Sequence, residues 1–247
     1  MDRLSYTAPI AMDISLIIPA YNEAGYIGAT LDAAIAASAG RFKEIIVVDN
    51  ASSDRTAEEA LQRSGVRVVH EARKGLTYAR QAGCDACSSE FIAFIDADTR
   101  ISQKWFDIIE PAFAATPEAV SLSGPRRYFG ASWWKRWVLN AMWGTAPLTY
   151  KFVGCMLLGG NFVVRKSAID TIKGFDTSIA FYGEDTDLAR RLSKIGKTLF
   201  RMDFVVHSSA RRFEEEGIFK PNLVYALNYL WPILFHKPFT HAYRDVR

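Results

Sequence analysis

Cysteine is scarce, with three in 247 residues. An odd, sparse set excludes a disulfide framework and fits a reducing compartment. Cys84 and Cys87 form a C-x-x-C late in a predicted helix, with no second pair elsewhere. A structural zinc site therefore lacks ligands, and packed small residues are the favoured reading over a redox pair. Long apolar runs are also missing. No uncharged apolar stretch reaches the roughly 20 residues of a membrane-spanning helix. The opening MDRLSYTAPIAMD has no apolar core of the kind a signal peptide needs. The expectation is a cytoplasmic protein. The net charge of +3 is too small to argue for nucleic acid, and no nucleic-acid motif is present. Acid is absent locally: from Ala119 to Ile169 there are seven basic residues and no Asp or Glu. Four of the six tryptophans (Trp133, Trp134, Trp137, Trp143) lie in that same stretch.

What is present is a regular alternation. ISLII (14–18) reads as a buried strand ending at Pro19, followed by a helix from about Glu23 to Ala39 that Gly40 stops. EIIVV (44–48), a helix from Asp54 to about Ser64, VRVV (66–69), a helix over 76–88 and FIAFI (91–95) continue the pattern. Strand and helix in strict turn predict an α/β fold, a mostly parallel sheet with helices on both faces. Ligands on such sheets bind beyond the carboxyl ends of the strands. Tyr21 to Glu23, Asp49, and the pair Asp96 and Asp98 all fall there. Further on, a helix is predicted over Glu184–Ile195 and a strand over 198–206.

FIDADT places two carboxylates just past a buried strand. They repel unless a cation is shared or a proton is held. A hard divalent ion, Mg2+ or Mn2+, answers this; such ions take one or two protein carboxylates and complete their shell with substrate phosphate and water. The plain alternative is that Asp96 ends a strand and Asp98 caps the next helix.

The motifs IIPAYNE (17–23), VVDNASSDRT (47–56), KGLTYARQAG (74–83), FIDADT (94–99), GGN (159–161) and GEDTDLARRL (183–192) occur in this order. In that order and spacing the chain resembles family 2 glycosyltransferases of the GT-A fold over roughly residues 13–210. The resemblance implies inverting transfer of a sugar from a nucleotide-sugar donor, most simply a UDP-sugar. It implies a metal on Asp98, with Asp96 on metal or ribose. Asp49 would accept from a base N–H, Tyr21 would pack on the base, and Pro19, Glu23 and Arg80 would lie along the nucleotide. Each has a plainer reading: Tyr21 a strand-end aromatic, Asp49 a turn residue, Arg80 a solvated helix face, Glu23 a helix-start acid. Gly160 and Asn161 would line the donor sugar or acceptor, or form a plain turn. Asp185 is the expected general base and Glu184 its second, although acids at a helix start are common in any protein. His207 is a candidate metal ligand or a strand-end histidine bonded to backbone. Arg212, or its neighbour Arg211, would clamp diphosphate. SSARRF lacks the glutamine and tryptophan of the Q-x-x-R-W motif, which argues against processive polymer synthesis.

The expected organisation is one domain over 1–247. A nucleotide-binding half spans about 13–100, an aromatic and basic acceptor-side half about 101–212, and an amphipathic helical tail about 213–247. Tryptophan mixed with Arg and Lys over 126–151, and the charge-poor aromatic stretch Pro221–His236, suggest a membrane surface and a lipid-linked hydroxyl acceptor. Packing of the same residues on the protein itself is the competing expectation. Two rival functions are a non-catalytic nucleotide-sugar-binding or membrane scaffold, and a sugar-phosphate nucleotidyltransferase. The latter normally carries a glycine-rich phosphate loop after the first strand, which IIPAYNE lacks.

Overall fold

The computed structural model describes residues 12–179, 182–218, 221–225 and 227–228. Four strands, β1 (Ile14–Ala20), β2 (Phe42–Asp49), β3 (Val66–His70) and β4 (Phe91–Ile95), alternate with α1 (Ile27–Ser38), α2 (Thr56–Leu61) and α3 (Leu76–Ala86). The later chain adds β5 (Thr99–Arg100), α4 (Gln103–Ala115), β6 (Ala119–Ser123), β7 (Arg126–Phe129), α5 (Trp133–Met142), α6 (Ala146–Val153), β8 (Asn161–Arg165), α7 (Lys166–Thr171), α8 (Glu184–Leu192), β9 (Lys197–Phe200), β10 (Val206–Ser209) and α9 (Arg211–Glu216). One sheet has seven strands in the order β3-β2-β1-β4-β8-β6-β9, and a second has three in the order β5-β10-β7.

In the larger sheet β1 to β4 pair in parallel, as do β6 and β9; β8 runs antiparallel to both neighbours. Alternate strand residues face opposite sides. Leu16, Ile18, Val47 and Ala93 therefore join one core with α1 and α4, while Ile17, Ile46, Val48 and Phe94 join another with α3 and α8. Every residue of β1 is buried, including Pro19. Pro19 is tolerated in this central strand because the β4 pairing has ended at Ile17.

Two sequence expectations need correction. Glu23 lies outside α1, because Asn22 takes a left-handed φ of 51° and the Glu23 amide donates to Thr56 Oγ1 at 2.7 Å. With Asn22 Oδ1 accepting from the Ser53 amide at 2.8 Å, the loops after β1 and β2 are tied together. The predicted 198–206 strand is two strands in two sheets. The break is a turn in which Arg201 grips Asp203 at 2.7 Å and the Arg201 amide donates to Ser123 O. The helical residues 221–225 are described, but Tyr229, Trp231 and Phe235 of the aromatic tail lie outside the described residues. Among the described residues, no helix is long and apolar enough to cross a membrane.

Candidate active site

The carboxyl ends of β1, β2 and β4 open on a cavity of about 870 Å3. Because β8 is antiparallel, its N-terminal end reaches the same rim and brings Gly159 and Gly160 with it. The start of α8 closes the floor. Gly183, at φ 83°, turns the chain sharply enough to aim Glu184 and Asp185 inward.

Asp96 and Asp98 line this cavity, and arginines from three elements meet them. Arg126 of β7 lies 3.1 Å from Asp96, and Arg80 of α3 lies 3.5 Å from it. Arg211 of α9 lies 3.4 Å from Asp98 and also pairs with Glu23. Burial pushes the Asp98 carboxyl up to about 6, the charge of Asp96 adds to this, and Arg211 pulls against it. Burial therefore disfavours the ionised form of Asp98 more than Arg211 restores it. Among the described residues, no group of three or more His, Cys, Asp or Glu side chains is placed to hold a metal alone. Two oxygen-donor carboxylates on an open cavity fit a Mg2+-type ion that completes its shell with ligand oxygens and water.

Arg80 is the keystone. It is 1% exposed, pairs with Glu184, and donates to Gly159 O at 2.6 Å. The two glycines make this packing possible. A Cβ at Gly160 would collide with the Asp96 carboxylate, and one at Gly159 would lie 2.6 Å from Glu184 Oε1. Asp185 accepts from the Gly159 amide at 3.2 Å and from the Thr186 amide at 2.8 Å. Burial raises the Asp185 carboxyl above its ordinary range. Burial and Asp185 push Glu184 up to about 7 despite Arg80, and Glu184 Oε2 has no hydrogen-bond partner among the described residues.

The Glycosyl transferase family 2 model matches residues 15–173, and a model described as the N-terminal domain of galactosyltransferase matches residues 142–215. The chain belongs to glycosyl transferase family 2. Glucosyl-3-phosphoglycerate synthase from Mycobacterium tuberculosis, solved with Mn2+, UDP and phosphoglyceric acid, is 21% identical, with a TM-score of 0.61 over 90% of this chain and 79% of that one. The mannosyltransferase PcManGT from Pyrobaculum calidifontis, solved with GDP-Man and Mn2+, is 19% identical, with a TM-score of 0.61 over 79% of this chain and 56% of that one. These likenesses establish the GT-A fold. The undecaprenyl-phosphate 4-deoxy-4-formamido-L-arabinose transferase of Edwardsiella ictaluri is 40% identical over 93 residues, 34% of this chain and 29% of its own length. The chain spans less than half the length of the curated relatives it matches.

Within this family 2 chain, the cavity gathers Pro19, Tyr21, Glu23, Arg80, Asp96, Asp98, Gly160, Glu184, Asp185 and Arg212 of the residues expected from sequence. Three expected residues are placed elsewhere. Asp49 holds His70 Nδ1 at 3.0 Å and the Ser52 amide at 3.3 Å, and it is Asn50 that lines the cavity. His207 is exposed on β10, opposite Arg100 and Arg127 in the neighbouring strands, and does not line the cavity. Strand alternation sends Val206 and Ser208 inward and turns His207 out. Asn161 is wholly buried. Its Oδ1 accepts from Trp105 Nε1 at 2.8 Å, while its Nδ2 donates to the carbonyls of Gly124, Pro125 and Phe204. Those bonds occupy the side chain and tie α4, β8 and the β6–β7 turn together. Asn161→Ala strands several buried groups at about 1–3 kcal/mol each, so a loss of about 3 kcal/mol is expected in urea denaturation. Unchanged stability with lost donor binding would instead give Asn161 a ligand role.

Sequence reasoning passed over two residues. Lys74 donates to Tyr21 Oη at 2.9 Å and lies 4.7 Å from its ring centre. Asn50 bonds the carbonyls of Glu71 and Arg73 and the Gly75 amide, fixing the loop that carries Lys74. The signal was present in the Lys74-Gly75 pair opening KGLTYARQAG and in the asparagine after Asp49. Of the two late arginines, Arg211 reaches the carboxylates, whereas Arg212 donates to Tyr182 Oη at 3.1 Å.

Proposed function

We propose that this protein transfers a sugar, with inversion, from a nucleoside-diphosphate sugar to a hydroxyl acceptor in a reaction that depends on a divalent cation. The observation that carries this is the convergence of Asp96 and Asp98 with Asp185 on one cavity, where Arg80 bridges Asp96 to Glu184, the residue beside Asp185. Asp98 and Asp96 would hold the ion, which supplies charge neutralisation for the departing diphosphate. Tyr21 and Lys74 frame the nucleoside end, and the proposed base is uracil. Arg126 and Arg211 stand where leaving-group charge accumulates.

Asp185 is the proposed base. It takes the proton of the acceptor hydroxyl as that oxygen attacks the anomeric carbon from the face opposite the diphosphate. The new C–O bond forms, the bond to diphosphate oxygen breaks, and configuration inverts. Its hydrogen bonds from the Gly159 and Thr186 amides fix the carboxylate, and burial above its ordinary pKa improves it as a proton acceptor near neutrality. Glu184, clamped by Arg80, positions the start of α8.

The acceptor is proposed to be lipid-linked. Leu139, Met142, Trp143, Ala146 and Leu157 give the far wall of the cavity an apolar character, and the Edwardsiella relative is named for undecaprenyl phosphate. The proposed setting is a membrane surface on the cytoplasmic side, in glycolipid or cell-envelope glycan synthesis, with the protein attached peripherally. The test is release of nucleoside diphosphate from UDP-, GDP- and dTDP-sugars with Mn2+ and polyprenyl-phosphate or glycolipid acceptors. Metal-dependent turnover with one donor, and NMR of an inverted product, are expected. No turnover with any pair would favour the non-catalytic scaffold.

A further inference from the structure

The inner face of α5 is accounted for. Leu139 is buried with Phe213 and Ile218, and Val138 packs beside them. The outer face is not: Trp133 is 77% exposed and Trp137 is 70% exposed. Four residues apart, they share one side of the helix. α6 repeats the pattern, with Leu148 at 61% and Phe152 at 80%, also four apart. Single exposed apolar side chains are ordinary, but four large ones on successive helices mark an interaction surface.

The charge around them names the partner. Arg136 and Lys151 are exposed on the same two helices, and the whole segment from Ala119 to Ile169 has no acid to oppose them. Lys135, on the inner side, is already paired with Glu214 at 2.6 Å. Tryptophan beside arginine and lysine suits a boundary where rings sit among headgroups and cations meet lipid phosphates. Helices of 10 and 8 residues are too short to span a bilayer but long enough to lie in its surface.

We propose that the α5–α6 face docks on an anionic bilayer, inserting Trp133, Trp137, Leu148 and Phe152 at the headgroup boundary with Arg136 and Lys151 on lipid phosphates. Other residues of the same helices, Leu139, Met142 and Ala146, line the cavity, so docking sets the acceptor end of the cavity against the membrane. The purpose of the contact rests on the lipid-linked acceptor of the proposed function; the contact itself is measured without turnover.

The test is flotation of the full chain with phosphatidylglycerol/phosphatidylcholine vesicles and with phosphatidylcholine alone. The chain is expected to float with the anionic vesicles and much less with the neutral ones. The triple variant Trp133→Ser, Trp137→Ser, Phe152→Ser is expected to lower the bound fraction at least about tenfold, and Arg136→Glu with Lys151→Glu to remove the preference for anionic lipid. The thermal shift with donor and Mn2+, measured without lipid, is expected to be the same in all of these, which separates docking from folding. No flotation of the wild-type chain, or equal flotation of the triple variant, overturns the proposal. A dimer in light scattering that the triple variant abolishes would make the face a self-association surface and also overturn it. Absence of a donor shift in the wild-type chain counts against the glycosyl-transfer reading and leaves the flotation result standing.

Discussion

Asp185→Asn is expected to lower kcat about a thousandfold, within the range that general-base removal costs, and to leave donor affinity nearly unchanged. The amide keeps the shape and can still accept from one of the Gly159 and Thr186 amides, which now donate to separate carboxylate oxygens, but it cannot take a proton. The pH dependence adds a second check. Burial raises Asp185, so its basic form is lost at higher pH than for an ordinary carboxylate. Glu184, pushed up to about 7, titrates beside it. The acid limb of kcat/KM is therefore expected well above the ordinary carboxylate value of about 4, with apparent pKa values that belong to the pair. A variant retaining a tenth of the activity, or an acid limb near pH 4, would remove Asp185 from the role of base.

Arg80→Met is expected to be the most destabilising single change in the site. Arg80 is buried, and the variant leaves Glu184 without its cation in the same interior. Breaking a buried pair in this way costs about 3–5 kcal/mol. The cost depends on pH, and its sign follows from Glu184. The folded-state pKa of that carboxyl is already raised to about 7, and losing the arginine raises it further. With a folded pKa above the unfolded one, the folded state holds the extra proton, and stability falls as pH rises between the two values. The deficit of Arg80→Met relative to wild type should thus be larger at pH 8 than at pH 6 in urea midpoints. Arg80→Lys should recover only part of it, since an ammonium cannot reproduce the planar fork that spans Glu184 and Gly159 O. A deficit below about 1 kcal/mol at both pH values would show that Arg80 is not the keystone, because such a loss is ordinary for an exposed pair.

The parallel half of the fold was legible because its signals are local. Short apolar runs alternate with helical stretches, and polar residues follow the runs closely, as Asp49 and Asp96 do. The same locality placed Tyr21, Asp96 and Asp98 on one rim, since the carboxyl ends of parallel strands share a side; Asp185, at the start of a helix, was reached only through the family motif. What stayed hidden depends on pairings distant in sequence. Nothing near residue 203 reveals that the chain leaves one sheet for another, where His207 comes to lie opposite Arg100. The predicted strand stopped at residue 206 and left the side taken by His207 open; in the structure it faces out, and it is Arg211 of the next helix that reaches Asp98. Asn161 follows two glycines and reads as a ligand residue, yet its partners lie in three segments at least 36 residues away. Asp49 ends β2 with its side chain on His70, and it is the residue after the strand, Asn50, that lines the cavity. The acid-free tryptophan segment was visible as composition; only the fold separates the side chains that line the cavity from those that face out.

Asp96 and Asp98 are proposed to bind a divalent ion that carries a nucleoside diphosphate. The direct measurement is thermal stability with UDP-, GDP- and dTDP-sugars, each with and without Mn2+, for the wild-type chain and Asp98→Ala. Ligand bound only by the folded state raises stability by mass action. A rise is expected with one nucleotide, one that requires Mn2+ and disappears in Asp98→Ala. A rise that is indifferent to metal, or that survives in Asp98→Ala, would contradict it.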